Sequence, residues 1–562
     1  SADVYWQIIV FHVEQKNIFK IYFMRIKGKL VDIHKREIYS AAIDIKVGRI
    51  ERITKTDDVE SNFILPGFID AHVHIESSML SPGAFARASV PHGTIGVVSD
   101  PHEIANVIGP EGIEYMIAEG KKTPLRFYFG APSCVPATDI ESNGAIIGVD
   151  EIEKLIGRKE ILYLAEMMNY PGVINSSPCV TEKIKMARKY GKPVDGHAPG
   201  VTGKDLKRYI DAGISTDHEC SSYEEAVEKI NLGMKIIIRE GSAGRNLNAL
   251  KSLYTSFPDK VMLGSDDIHP EMLRKRHLDK LVAGLLNEGF NFFDVLKSTS
   301  YNQIKHYNLD AGMLQPGDKA DFIITDDPRK MNILETWING EKVFDRGRVL
   351  FDYSPPEPIN NFKCSLVNSE QIAIKKSGKE MRVILAFDGE LYTRELIYEP
   401  KEGSDIKPDI NEDILKIVVK DRYRDLPPAT GFIKGFGLKK GAFASSVAHD
   451  SHNIIGIGTC DDDILSAINE VIRKKGGLAV AVEGSVKSLE LNIAGIMSDK
   501  SCEKVADDYE ELSGIVKKYG CKMAAPFMTL SFMALLVIPE LKMSDRGLFD
   551  GKSFSHVPLF LD

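Results

Sequence analysis

Pro66-Gly67-Phe68-Ile69-Asp70-Ala71-His72-Val73-His74 is the stretch on which the fold turns. An apolar run ends in two histidines separated by one residue. Side chains alternate along a strand, so His72 and His74 share one face. Two imidazoles side by side at the C-terminal end of a strand make half of a metal site. A surface strand carrying two unrelated histidines has the same spacing. The apolar run that delivers the pair argues instead for a buried strand opening onto an active face.

Working outward, similar apolar bursts recur at 94–99, 126–129, 161–165, 193–196, 215–217, 235–238 and 261–264. With 67–71 they number eight. Helical patterns fill intervals between them, for example at 81–92, 111–119, 181–190, 203–212 and 223–232. Eight β/α units between 65 and 310 match the roughly 250 residues of a (β/α)8 TIM-like barrel, so the expected class is α/β. An open, doubly wound sheet is the alternative. On either side, 24–64 and 311–355 show short strands with a period of two, and together they predict a small flanking β-sandwich domain. The SPPEP stretch at 354–358 reads as a stiff linker. Beyond it, 363–562 predicts an independent C-terminal α+β domain, with strands at 372–375, 381–386, 414–419 and 478–482. One of its helices gathers Ile464, Leu465, Ile468, Val471 and Ile472 on one face. Residues 1–23 are apolar and aromatic but interrupted by Glu14, Lys16 and Lys20. They read as an N-terminal extension of uncertain status, either a helix or strand pair on the core or an addition ahead of it.

Composition narrows the function. The chain has 562 residues, 71 Lys+Arg and 80 Asp+Glu, a net charge of −9 that argues against nucleic acid as a partner. With 43% hydrophobic and 27% charged residues it is an ordinary globular chain. Seven cysteines, an odd number without a C-x-x-C pair, suit a reducing cytoplasm. No apolar run reaches membrane-spanning length, and no signal peptide is expected.

The later strands end in further ligand types. Glu166 follows 161–165, His197 follows 193–196, His218 follows 215–217 and Asp266 follows 261–264. The active face of a barrel lies at these strand ends. Six such groups suit two divalent ions bridged by one carboxylate. Glu76, Asp100, His102, Glu103, Asp267 and His269 stand in the same segments, as substrate contacts, as support for ligands, or as helix caps. His92, His277 and His306 read as structural. In the third region His449, Asp450 and His452 cluster within six residues, as a loop completing the active site, as an accessory metal site, or as a plain polar connection. A serine triad is a poor reading there, because no G-x-S-x-G elbow precedes it.

The order H-x-H, Glu, His, His, Asp resembles the amidohydrolase superfamily. GMLQPGDKADFII at 312–324 resembles the end of that superfamily's small β domain. Within the superfamily, HVHIESSMLSP (72–82), PHGTIGVVSDPHEIANVIG (91–109), GSDDIHP (264–270) and GFGLKKGAFASSVAHDSHNIIGIG (435–458) are similar to the adenine deaminase family, from about residue 25 to the end. The resemblance implies hydrolytic deamination of adenine to hypoxanthine, with Mn2+ or Fe2+ favoured over Zn2+, and a homodimer or larger oligomer. It places His72, His74, Glu166, His197, His218 and Asp266 on the metals. Asp266 would carry the water's proton to the departing ammonia. Glu219, beside His218, would serve purine N1 or else support that ligand. Many relatives that open cyclic amides bridge their metals with a carboxylated lysine; Glu166 at that position counts against a cyclic-amide substrate. Another aminopurine stays open as the alternative. A metal-binding paralogue without turnover is disfavoured, because every ligand position is filled.

Overall fold

The computed structural model describes residues 5–10, 20–58, 60–242, 244–401 and 403–561, and the side chains from residue 23 onward. Its centre is a set of eight short parallel strands. They are Phe68–Val73 (β1), Thr94–Ser99 (β2), Arg126–Ala131 (β3), Ile161–Met167 (β4), Val194–Gly196 (β5), Thr216–Asp217 (β6), Lys235–Arg239 (β7) and Val261–Gly264 (β8). β1 to β5 pair in sequence order in one sheet and β6 to β8 in another. Backbone bonds close both seams. Ser215 N–H donates to the Val194 carbonyl between β5 and β6, and Asp266 N–H donates to the His72 carbonyl between β8 and β1. The ring has no free edge at these seams, which a TIM-like barrel requires and an open doubly wound sheet lacks.

The strand sequences explain the closure. β2 reads Thr-Ile-Gly-Val-Val-Ser and every residue is buried, as expected for parallel strands covered on both faces. Helices such as Pro110–Gly120, Pro178–Lys189 and Tyr223–Asn231 cover the outside. The helix expected over 81–92 is shorter, Pro82–Ser89, and tightens into a 3-10 turn over Val90–His92.

The two strand-rich flanks join in one nine-stranded sheet. Phe63–Pro66 is the stitch, parallel to Lys20–Asp32 on one side and antiparallel to Phe322–Thr325 on the other. Its apolar face holds Met24, Ile26, Leu30, Ile43, Phe322 and Trp337. Of the N-terminal extension, Tyr5–Val10 is described and pairs antiparallel with Lys20–Arg25; residues 1–4 and 11–19 lie outside the described residues.

The C-terminal region builds a second nine-stranded sheet, with Leu415–Lys420 and Ile454–Gly458 near its middle and the helix Asp461–Arg473 on one face. It packs directly on the barrel. One apolar cluster runs from Ile69 and Met167 in the barrel through Phe443, Phe527 and Met543. The strand expected at 372–375 does not form: Ile372 ends a 3-10 turn over Glu370–Ile372, and of the rest only Lys375 makes an isolated antiparallel bridge, to Asp405. Reciprocal caps explain the turn: Asn368 Oδ1 accepts from Gln371 N–H while Gln371 Oε1 accepts from Asn368 N–H.

Candidate metal centre

The strand ends bring the six sequence-derived ligand candidates together, all buried except His197, which is partly exposed. Asp266 sits just past β8 in a left-handed backbone conformation (φ 57°). That conformation costs a non-glycine residue roughly 1–3 kcal/mol. Its amide and carbonyl are tied to the backbone of His72 and His74, which fixes the carboxylate over the barrel mouth.

Glu166 divides its two oxygens. Oε1 lies 3.3 Å from His74 Nε2, and Oε2 lies 2.8 Å from His197 Nδ1 and 3.2 Å from His218 Nε2. A carboxylate placed so can join two cation positions. Asp266 Oδ1 lies 3.3 Å from His74 Nε2 and 3.7 Å from His72 Nε2. The donor atoms of His72, His74 and Asp266 lie within 4.8 Å of one another, as do those of His72, Glu166 and His218. Both ring nitrogens of His72 are buried without a hydrogen-bond partner. An apolar or purely structural site leaves such an imidazole costly; a cation satisfies it. The donor set of imidazoles and carboxylates thus fits divalent metals.

The surroundings orient these donors. His74 Nδ1–H donates to the Asp100 carbonyl at 3.2 Å, which leaves its Nε2 lone pair facing the carboxylates. Asp70 accepts from the amides of His72 and Ser265 and pairs with His277 Nε2 at 2.8 Å, bracing β1 against β8. Lys229, fully buried, donates to the Ala198 carbonyl at 2.8 Å and pairs with Asp217 and Glu225. It thereby holds the neighbours of His197 and His218. Burial pushes the Glu166 carboxyl up, but hydrogen bonds from His197 and His218 outweigh it and keep it well below the usual range.

Glu219 lines the cavity and is held between Arg239 and His218. Arg239 Nη1 lies 2.8 Å from its Oε1, and His218 Nε2 lies 3.4 Å away. Burial would raise its pKa; Arg239, His197 and His218 outweigh burial and hold it ionised. An ionised carboxylate here supports His218 through Arg239, and it is also able to accept a proton and pass it on.

The other candidates separate. His102 enters the centre, its Nδ1 at 3.2 Å from Asp100 Oδ2 and 3.5 Å from Glu166 Oε1, within ligating reach alongside His74. Asp267 faces the same cavity and accepts from Ser77 Oγ. Glu76 turns away, accepting the Ile104 amide at the start of the helix His102–Ile108; burial lifts its carboxyl to about 7. His269 is not among the residues lining the metal-facing cavity and packs edge-on against Tyr509. Glu103, His449 and His452 form a second buried group next to His102, and Glu103, His449 and Asp450 all line the same cavity. Arg239, at the end of β7, was missed by sequence reasoning although it pairs with both Asp266 and Glu219. Its strand-end position was the available signal. The cavity's apolar roof, including Leu391, Phe532, Leu535 and Val537, was also missed.

Comparison with known proteins places these features in a lineage. Residues 63–343 match the amidohydrolase family model, and residues 390–555 match the adenine deaminase C-terminal domain. The adenine deaminase of Methanosarcina mazei is 47% identical over 549 residues, covering 95% of this chain and 99% of its own. That of Salinibacter ruber is 48% identical over 540 residues, covering 96% and 99%. That of Borreliella burgdorferi is 43% identical over 542 residues, covering 95% and 99%. From the barrel through the last sheet, this chain belongs to the adenine deaminase family of the amidohydrolases.

Proposed function

We propose that this chain hydrolyses adenine to hypoxanthine and ammonia at the barrel mouth. The observation that carries the reading is Glu166, whose two oxygens face two different sets of histidines. In this reading His72, His74 and Asp266 would hold one divalent ion and His197 and His218 a second, with Glu166 within reach of both sets. Ions bound there would supply a water of near-neutral pKa as the nucleophile. Mn2+ or Fe2+ is favoured over Zn2+ by the resemblance to the family, while the mixed imidazole and carboxylate set accommodates all three.

The remaining steps belong to the protein. Asp266 Oδ1 faces the reaction centre while Oδ2 is paired with Arg239, so the lone pair of Oδ1 not directed at an ion would take the proton of the attacking water. The same oxygen returns it to the amino nitrogen as the C6–N bond breaks. Glu219 keeps Arg239 and His218 in place. Leu391, Phe532 and Leu535 give the base an apolar wall on the side away from the metal ligands. No residue of the centre is a lysine that could be carboxylated in place of Glu166, which supports an aminopurine over a cyclic amide.

The test is to strip the full chain of metal, reload it with Mn2+, Fe2+ or Zn2+, and follow adenine conversion by ultraviolet absorbance. Dihydroorotate and cytosine serve as controls. Turnover of adenine restored by two metal equivalents supports the reading. Protein holding two ions that leaves adenine untouched overturns it.

A further inference from the structure

The segment His449-Asp450-Ser451-His452-Asn453 joins two strands of the C-terminal sheet, Ala442–Ser445 and Ile454–Gly458. Four of its five side chains are committed to the barrel. His449 Nδ1 lies 2.6 Å from Glu103 Oε1, and His452 Nε2 pairs with Glu103 Oε2. Ser451 Oγ donates to Glu141 Oε2 at 2.8 Å, and Asn453 Nδ2 donates to the Ser142 carbonyl at 2.7 Å. His449 also stacks on Phe532 of the cavity roof.

The donor atoms of Glu103, His449 and His452 are close enough to share an ion, and as the group stands hydrogen bonds account for it. The Ala448 amide donates to His452 Nδ1, so in the neutral ring the proton sits on Nε2, the nitrogen that faces Glu103. That nitrogen is a hydrogen-bond donor to the carboxylate and offers no lone pair to a cation. The pairs fasten the segment to the barrel.

The fifth side chain is left over. Asp450 is buried, lines the cavity with His74, His102, Glu166 and Asp266, and keeps its Oδ2 without a partner. A buried carboxylate oxygen without a donor is costly, and the cavity that Asp450 lines is where a donor can enter. An ionised carboxylate only accepts. Adenine offers two kinds of donor, the amino group at C6 and the ring N–H across the molecule. The amino end must face the metal ligands to react.

We propose that Asp450 receives the ring N–H of the base and so selects the free purine over purines substituted at that nitrogen. The proposal rests on the adenine reading above. The roof side chains Leu391, Phe532, Leu535 and Val537 carry no side-chain group able to replace a missing contact. A site built to hydrogen-bond an N–H discriminates strongly against an analogue without it, because its own polar group is then stranded.

The experiment uses the full-length, Mn2+-loaded protein with adenine and 9-methyladenine, in which a methyl group replaces the ring N–H. Wild-type turnover of adenine tests the reading of the centre; the ratio of the two substrates tests Asp450. The expected wild-type preference is at least about a hundredfold in kcat/KM. Asp450→Ala is expected to lose most of it, chiefly through a higher KM for adenine, with 9-methyladenine unchanged or improved. Metal content and Tm are measured alongside, and Asp450→Asn serves as the isosteric variant should the alanine chain be unstable. Equal losses on both substrates, or an unchanged adenine KM, overturn the proposal. A readout that needs no variant is competitive inhibition of wild type by purine and by 9-methylpurine: constants within about threefold of each other also overturn it, since a stranded polar group costs more than that.

Discussion

The metal-facing centre and the 449–453 segment share one cavity, yet they are assembled in opposite ways. In the centre, the donors come from the ends of β1, β4, β5, β6 and β8. Each is fixed by a backbone that is itself part of the barrel. In the segment, four of five consecutive residues reach out to Glu103, Glu141 and Ser142 on the barrel. The first arrangement makes the chemistry as rigid as the fold. The second makes the wall of the pocket depend on a few buried polar pairs between two regions of the chain. Reactivity and selectivity should therefore be separable by mutation.

The hardest blow falls on the centre. Glu166→Ala should lower adenine turnover at least about 1,000-fold, since metal activation of water supplies several kcal/mol. Metal analysis should show the loss of at least one ion per chain. Full metal content and normal turnover would contradict the bridging role.

Glu103→Gln attacks the segment instead. Removing one charge from a buried, paired group costs about 3–5 kcal/mol, read from denaturant unfolding. Bound metal should change much less than in Glu166→Ala. If metal falls in step with stability, the two regions are one cooperative unit and the contrast fails.

Lys229→Met tests the support behind the centre. Losing such an orienting contact typically costs 10–100-fold in metal affinity or activity, and about that range is expected here. An unchanged metal affinity would limit Lys229 to packing.

The smallest effect concerns pH, where two groups act in opposite directions. Burial lowers the His449 pKa, but Glu103 outweighs it and raises the ring to about 9. That pair stabilises fully below the unfolded value of 6.5 and fades as pH rises through about 9. Lys542 is brought down to about 7 by burial and donates to the Leu391 and Phe532 carbonyls. Between about 7 and 10.5 the unfolded chain holds the proton that the folded chain has lost, so Lys542 makes stability rise with pH. Lys542→Met should remove that rise and Glu103→Gln should remove the fall. Unfolding free energies at pH 6, 7.5 and 9.5 for the three proteins check both signs.

What was legible in the sequence follows the same division. His72 and His74 were readable from strand alternation, and Glu166, His197, His218 and Asp266 from their places after apolar bursts. A barrel puts strand ends on one face, so position along the chain translates into position in space. Arg239 occupied an equivalent place but is not a ligand type, and a search for ligands passes over it. Glu219 was seen, but its partner Arg239 was not, and the partner decides its charge. The segment 449–453 stood out as unusual, while its attachment points lie some 300 residues away in the chain and no local pattern announces them. The strand expected at 372–375 begins on the last residue of the turn Glu370–Ile372, which is fixed by the reciprocal bonds between Asn368 and Gln371, a pairing the apolar pattern does not show.

The stitch at Phe63–Pro66 has a consequence for synthesis. One of its edges is covered early, by Lys20–Asp32, and the other only when Phe322–Thr325 arrives. At about 5–20 residues per second the wait is on the order of 10–50 s. For that time the nascent chain carries an open, apolar strand edge, a template for pairing with another chain. Ribosomes stalled anywhere within the barrel should therefore yield fragments that aggregate through residues 63–66, and the cell's need for a holding chaperone should end abruptly once the strand at 322–325 has emerged.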